Sequence, residues 1–229
     1  MKHRAHSLSL FFVIVLSLVI SSCSLHPALF LPVVNDNRLE TFVAEEAARI
    51  LTVSDNGNPA TRYRFYLVDF PRKDILGLSL GENQIFLSYE LSRRGFDQTG
   101  YLWLFRHTPA HEIAHHALRH GQNEHAVSLN AVPRSAAEIS GRDLGLPPAI
   151  SLRNYSRESE LTADRKALDY WRQLGWDCRI WVAIFKSFLD EGYMGDVHHP
   201  TEERLSEALR SCPAAAHENF KKFAGEGAG

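Results

Sequence analysis

The chain has 229 residues, with 25 basic and 27 acidic side chains and a formal net charge of -2. That balance excludes a nucleic-acid binder built on a basic surface, and 45% apolar with 23% charged residues is the composition of an ordinary globular protein. Twelve histidines, several of them clustered, are a cue for metal or proton chemistry.

Lys2 and Arg4 precede an apolar run from Leu8 to Ile20 that only serines interrupt. A membrane-spanning helix needs roughly 20 apolar residues, so this shorter run suits the core of a signal peptide. It ends in Ile20-Ser21-Ser22-Cys23, which resembles a bacterial lipobox. The resemblance implies removal of residues 1–22 and lipidation of Cys23; an ordinary secretory signal with an incidental cysteine is the other reading. Residues 23–37, with Pro27 and Pro32, read as a lipidated tether, 38–223 as one domain, and the glycine-rich 224–229 as a disordered tail.

Within the domain, Leu39, Phe42, Val43, Ala47, Ile50 and Leu51 share one helical face, which predicts a helix over 38–51. Residues 62–70 alternate and are rich in strand formers. Two apolar stretches around Gly81-Glu82-Asn83 predict a hairpin over 75–87. A helical block covers 101–121, and Pro109 inside it predicts either a helix that starts there, with Thr108 as N-cap, or a bend. Residues 122–152 are polar and proline-containing and read mainly as loop. Further helices are expected over 157–174, 180–191 and 202–210, with Trp171, Trp176, Trp181, Phe185 and Phe188 as core. The fold class is therefore α+β, mainly α, with a small sheet or hairpin beside a helical bundle. The hairpin is expected to offer an edge strand on which an extended peptide can pair. An exported chain meets an oxidising compartment, where Cys178 and Cys212 form a disulfide or pack as two separate buried thiols.

His111-Glu112-Ile113-Ala114-His115 is an HExxH sequence. On a helix, residues four apart lie on one face, so both imidazoles can reach one ion while Glu112 stands beside it as a general base. A catalytic zinc takes three protein ligands and keeps one open position. A third histidine six residues after His115 would extend the motif, but that position is Gly121. Glu160 and Asp164, four apart on a later predicted helix, offer the alternative. Glu160 can ligate, and Asp164 can orient a ligand histidine. Glu158 is a competing ligand without an acidic partner four residues on, because position 162 is Thr162. The competing reading of Glu160 and Asp164 is a solvated pair of helix charges near Arg157 and Lys166. His107, His116 and His120 read as packing or surface histidines.

These residues resemble the HtpX/BepA/LoiP-type gluzincin zinc metallopeptidases. The family's second motif is similar to Ser156, Arg157, Glu160, Ala163 and Asp164, with Thr162 replacing a family glutamate. His199-Pro200 followed by Arg204 is similar to its third motif, so the resemblance spans roughly residues 62–210. It implies a minimal gluzincin domain, one zinc ion per chain on His111, His115 and Glu160, and Glu112 as catalytic base in peptide-bond hydrolysis. His199, or its neighbour His198, is implied to approach the metal and hold the enzyme idle; a structural turn is the other reading of His199-Pro200. Arg204 either stabilises a developing oxyanion or pairs with Glu160 or Asp164. The expected setting is the bacterial envelope, periplasm-facing and anchored through Cys23, with the outer membrane favoured because Ser24 is not aspartate. Expected substrates are unfolded or misassembled envelope proteins. The alternative is a zinc-bound chaperone or assembly factor with latent peptidase activity.

Overall fold

The computed structural model describes residues 30–54, 63–80, 83–120, 126–131, 144, 146, 153–196 and 198–217. The expected signal segment 1–22, Cys23, the first part of the tether and the tail 224–229 lie outside the described residues, as does most of 121–152. Among the described residues, no helix is long and apolar enough to cross a membrane.

The fold is α+β and mainly helical. Among the described residues, six α-helices occupy Asn37–Leu51 (α1), Tyr89–Asp97 (α2), Thr99–Ala117 (α3), Arg157–Gln173 (α4), Cys178–Asp190 (α5) and Thr201–Ser211 (α6). The strands are Val33–Val34 (β1), Arg64–Val68 (β2), Ile75–Leu80 (β3), Gln84–Ser88 (β4), Ala126–Ala131 (β5) and Arg153–Asn154 (β6), in the order β1-β2-β4-β3-β5-β6. The two outermost strands are two residues long, so four strands carry the sheet.

Local chemistry starts the helices where the chain allows it. Asp36 caps α1 by accepting from the backbone N–H of Arg38 and Leu39 at 3.1 and 3.2 Å. Ser156 caps α4 by accepting from Ser159 N–H at 3.1 Å, and Glu158 and Glu160 then fall in the first turn, where the helix dipole favours negative charge. The larger core joins Leu39, Val43 and Ile50 of α1 to Phe105 and Ile113 of α3 and to Trp171, Trp181, Phe185 and Phe188 of α4 and α5. Glu46 grips Arg106 through two hydrogen bonds of 2.6 and 3.2 Å and pins α1 to α3. A second apolar cluster of Leu31, Val68, Phe70, Ile75, Leu78, Leu80, Phe86, Leu144 and Leu146, with Phe30 packed against it, lies on the strands.

Several expectations change. The hairpin forms, with Asn83 in the left-handed region at φ 59°, but it supplies no edge. β4 takes β2 as a parallel partner on its outer side, and β3 takes β5 antiparallel on the other. β5 falls where a loop was expected: Val127, Leu129 and Ala131 alternate with Ser128 and Asn130, a strand pattern too short and too mildly apolar to stand out. α3 does not start at Pro109. It begins ten residues earlier and runs through the proline, with Thr108 donating its hydroxyl to Leu104 O at 3.3 Å rather than capping. Residues 107–115 are all buried, and that packing outweighs the loss of one backbone hydrogen bond. Finally, Phe30, Leu31 and Val33–Val34, expected in the tether, pack on the sheet or pair with β2.

Candidate metal centre

α3 packs against α4, and the three donors of the candidate site sit on that seam. His111 and His115 lie one turn apart on α3, and Glu160 faces them from the first turn of α4. All three are buried, and their ligand atoms form a group that could hold a metal ion. His111 Nε2 lies 3.0 Å from Glu160 Oε2 and 3.0 Å from His115 Nε2; His115 Nε2 lies 3.3 Å from the same oxygen. Donors about 2.0–2.1 Å from one tetrahedral ion stand about 3.3 Å apart, so the spacing matches a shared cation.

The second nitrogen of each ring supports the same conclusion. His111 Nδ1 donates to Asp164 Oδ1 at 2.9 Å, so the neutral ring presents its Nε2 lone pair inward. Asp164 is in turn held by both arms of Arg204, at 2.6 Å from Nε and 2.7 Å from Nη2. The Arg204 guanidinium rests over the Phe185 ring at 4.8 Å. Burial opposes the Asp164 charge, yet Arg204 and the His111 bond hold its pKa well below the usual carboxylate range. The pairing role expected for Arg204 is therefore the one displayed. Glu160 Oε1 has no hydrogen-bond partner among the described residues, an orphaned buried acceptor on the same carboxylate. Two imidazole lone pairs and a carboxylate oxygen in mutual contact repel unless a proton or a cation lies between them, and the donor set suits a divalent ion.

The protons reflect that crowding. Burial works against a charge on His111, but Asp164 and Glu160 outweigh it and raise its pKa to about 9. Burial dominates at His115 and lowers its pKa to about 3. Ligands must be bare to bind, so His111 would have to give up its Nε2 proton to hold a metal ion.

His199 also reaches the centre. It is 1% exposed, and its Nε2 lies 3.2 Å from Glu160 Oε2 without hydrogen-bond alignment. Asp196 fixes the loop by accepting from the backbone N–H of His198 and His199 at 2.8 Å each and from His199 Nδ1 at 2.9 Å. Gly195 makes the turn possible: its φ is +79°, and a Cβ there would meet His199 O at 1.9 Å. Burial disfavours the His199 charge, yet Glu160 and Asp196 raise its pKa to about 10. His198 is half-buried and is not part of the three-donor group.

Glu112, next to His111, is fully buried. Glu158 is exposed and pairs with Arg165 at 3.0 Å, away from the centre. Cys178 and Cys212 are joined as a disulfide across 34 positions, with Cα atoms 5.9 Å apart. The bridge ties the start of α5 to the end of α6 and so closes the stretch that carries Phe185, Asp196, His199 and Arg204.

Two contributors were not expected. His120 places Nδ1 at 3.0 Å from His115 Nδ1, and Tyr155 stacks on the His115 ring at 4.6 Å and 12°. The helix ending brings His120 there. Arg119 adopts φ 58°, Arg119 N–H bonds His116 O at 3.1 Å and His120 N–H bonds His115 O at 3.0 Å, a Schellman ending that folds the chain back on its last turn. The sequence signal was weak, because the left-handed position is arginine rather than glycine. His107 is buried among Trp181 and Phe185, and neither ring nitrogen has a hydrogen-bond partner among the described residues, so it is core, as expected. Comparison with models of known families gives no match for this chain, and comparison with curated proteins gives none either.

Proposed function

We propose that the chain is a zinc metalloendopeptidase of the gluzincin type, with His111, His115 and Glu160 as ligands of one zinc ion. The observation that carries the reading is the convergence of the two Nε2 atoms and Glu160 Oε2 at 3.0–3.3 Å, beside the buried Glu112. Zinc is favoured over harder ions by two imidazoles in the donor set. When bound, it supplies Lewis acidity toward a carbonyl oxygen and toward water.

The chain's own residues do the rest. Glu112 takes a proton from water and passes it to the leaving amine. Asp164, clamped by Arg204, keeps the His111 ring in one orientation and tautomer. Arg204 is thus a positioning residue, not a group that touches substrate. By the same resemblance, the protein is anchored through Cys23 at the bacterial outer membrane, faces the periplasm and acts on unfolded or misassembled envelope proteins.

A second reading is favoured by one observation: His111, Glu112, His115, Glu160 and His199 are all at most 1% exposed. A centre so covered, with His199 against Glu160, fits a resting state that binds partners as a chaperone and cleaves only after His199 moves. The test is casein cleavage by the full-length protein in detergent, with and without chelator, for wild type, Glu112→Gln and His199→Ala. The proposal expects chelator-sensitive cleavage, loss in Glu112→Gln and a gain in His199→Ala. Undiminished cleavage by Glu112→Gln would remove the enzymatic reading.

A further inference from the structure

The two ligand histidines are held by unlike partners. On one side His111 donates to Asp164, a carboxylate locked by Arg204. On the other, His115 faces another imidazole: His120 Nδ1 at 3.0 Å. The far nitrogen of His120, Nε2, lies 3.4 Å from Thr162 Oγ1. Thr162 sits on α4, two residues after Glu160. Its hydroxyl has backbone acceptors 2.9 Å away at Glu158 O and Ser159 O.

The carbonyl contacts at 2.9 Å, shorter than the 3.4 Å contact to His120, favour one arrangement of protons. A hydroxyl that donates to a backbone carbonyl keeps lone pairs to accept from His120 Nε2–H. A neutral imidazole with its proton on Nε2 has a bare Nδ1. That bare nitrogen can only accept, so the proton in the 3.0 Å contact belongs to His115 Nδ1. His115 then presents a bare Nε2 to Glu160 Oε2 and His111 Nε2. Tyr155 braces the His115 ring and the backbone of His120. It stacks on His115 and donates its hydroxyl to His120 O at 2.9 Å.

We infer that His120, set by Thr162, is a positioning residue that holds His115 as an Nε2 donor and so shapes the affinity of the site for its metal. The inference rests on the proposed zinc centre but not on its catalysing hydrolysis. Thr162 then acts on the centre in place of an acidic side chain, its hydroxyl reaching the metal ligand through a neutral relay. The result is a site polarised from one side, with a charged partner behind His111 and an uncharged chain behind His115.

The test combines zinc affinity, by chelator competition, with imidazole ¹⁵N NMR of the metal-free protein. Wild type should show His115 protonated at Nδ1. His120→Phe keeps a ring but removes the acceptor. It should lose that tautomer signature and bind zinc about 10–100-fold more weakly. Thr162→Val, which keeps the shape and removes the hydroxyl, should weaken binding in the same direction, and Thr162→Glu, which keeps an acceptor for His120, should match or exceed wild-type affinity. Zinc bound equally well by wild type, His120→Phe and Thr162→Val would overturn the inference, as would a wild-type His115 protonated at Nε2. Unfolding curves of the metal-free variants guard against misfolding; if His120→Phe fails to fold, Thr162→Val and Thr162→Glu decide. Absence of zinc binding by wild type would instead defeat the metal reading, and the NMR signature would still judge the relay.

Discussion

Single residues at the centre obey a simple rule: a buried polar group must be paired, or something pays for it. Arg204 and Asp164 are both almost fully buried and satisfy one another through two short bonds. Arg204→Met therefore leaves a buried carboxylate without its cation. The expected loss is about 3–5 kcal/mol in urea unfolding, with weaker zinc binding as the His111 ring loses its brace. His107 is the opposite case. Its two nitrogens are buried against Trp181 and Phe185 with no hydrogen-bond partner among the described residues, and burial keeps the ring neutral with a pKa well below the ordinary value. Replacing an unsatisfied polar group by an apolar ring of similar shape removes a penalty of about 1–3 kcal/mol. His107→Phe should thus raise the urea midpoint while zinc stoichiometry stays unchanged. A fall of the midpoint would mean that the imidazole has a partner.

At the scale of elements, the α3 ending and the α5–α6 staple carry the geometry. Arg119 holds a left-handed conformation that costs a residue with a Cβ about 1–2 kcal/mol. Arg119→Gly should relieve part of that and raise the melting temperature slightly, with His120 still in place. The Cys178–Cys212 bridge closes a loop of 34 positions, for which chain-entropy arguments give about 4 kcal/mol. The Cys178→Ser, Cys212→Ser protein should unfold at correspondingly lower denaturant, and its zinc affinity should fall because Arg204 and His199 lie inside the released loop. Five of the helices were legible in the sequence because their apolar residues recur at helical spacing, whereas α2 was not among those expected. The outer partners of the hairpin, β2 beside β4 and β5 beside β3, were not legible, because alternation shows which residues form a strand but not which strand lies beside it. Pro109 left the start of α3 open for a related reason: tertiary burial, not propensity, carries the helix through it. At the site, HExxH and the Glu160/Asp164 spacing pointed to the right helices. His120 escaped because its position depends on one arginine adopting a conformation usually left to glycine.

On the scale of the molecule, the sheet and α1 hold α3 from one side while α4, α5 and α6 bring Glu160, Asp164 and Arg204 to it from the other. Each donor reaches the centre from a packed helix, so the group is preorganised rather than assembled on a loop. Such a site couples metal binding to stability. Chelation should lower the melting temperature, and zinc should restore it in a concentration-dependent way. The most direct measurement is zinc bound per chain at equilibrium, by dialysis and elemental analysis, for wild type and Glu160→Gln. The account predicts one ion per wild-type chain, and an affinity at least about 100-fold weaker once the carboxylate ligand is gone. Wild type without stoichiometric zinc, or Glu160→Gln holding it equally tightly, would contradict the three-donor centre.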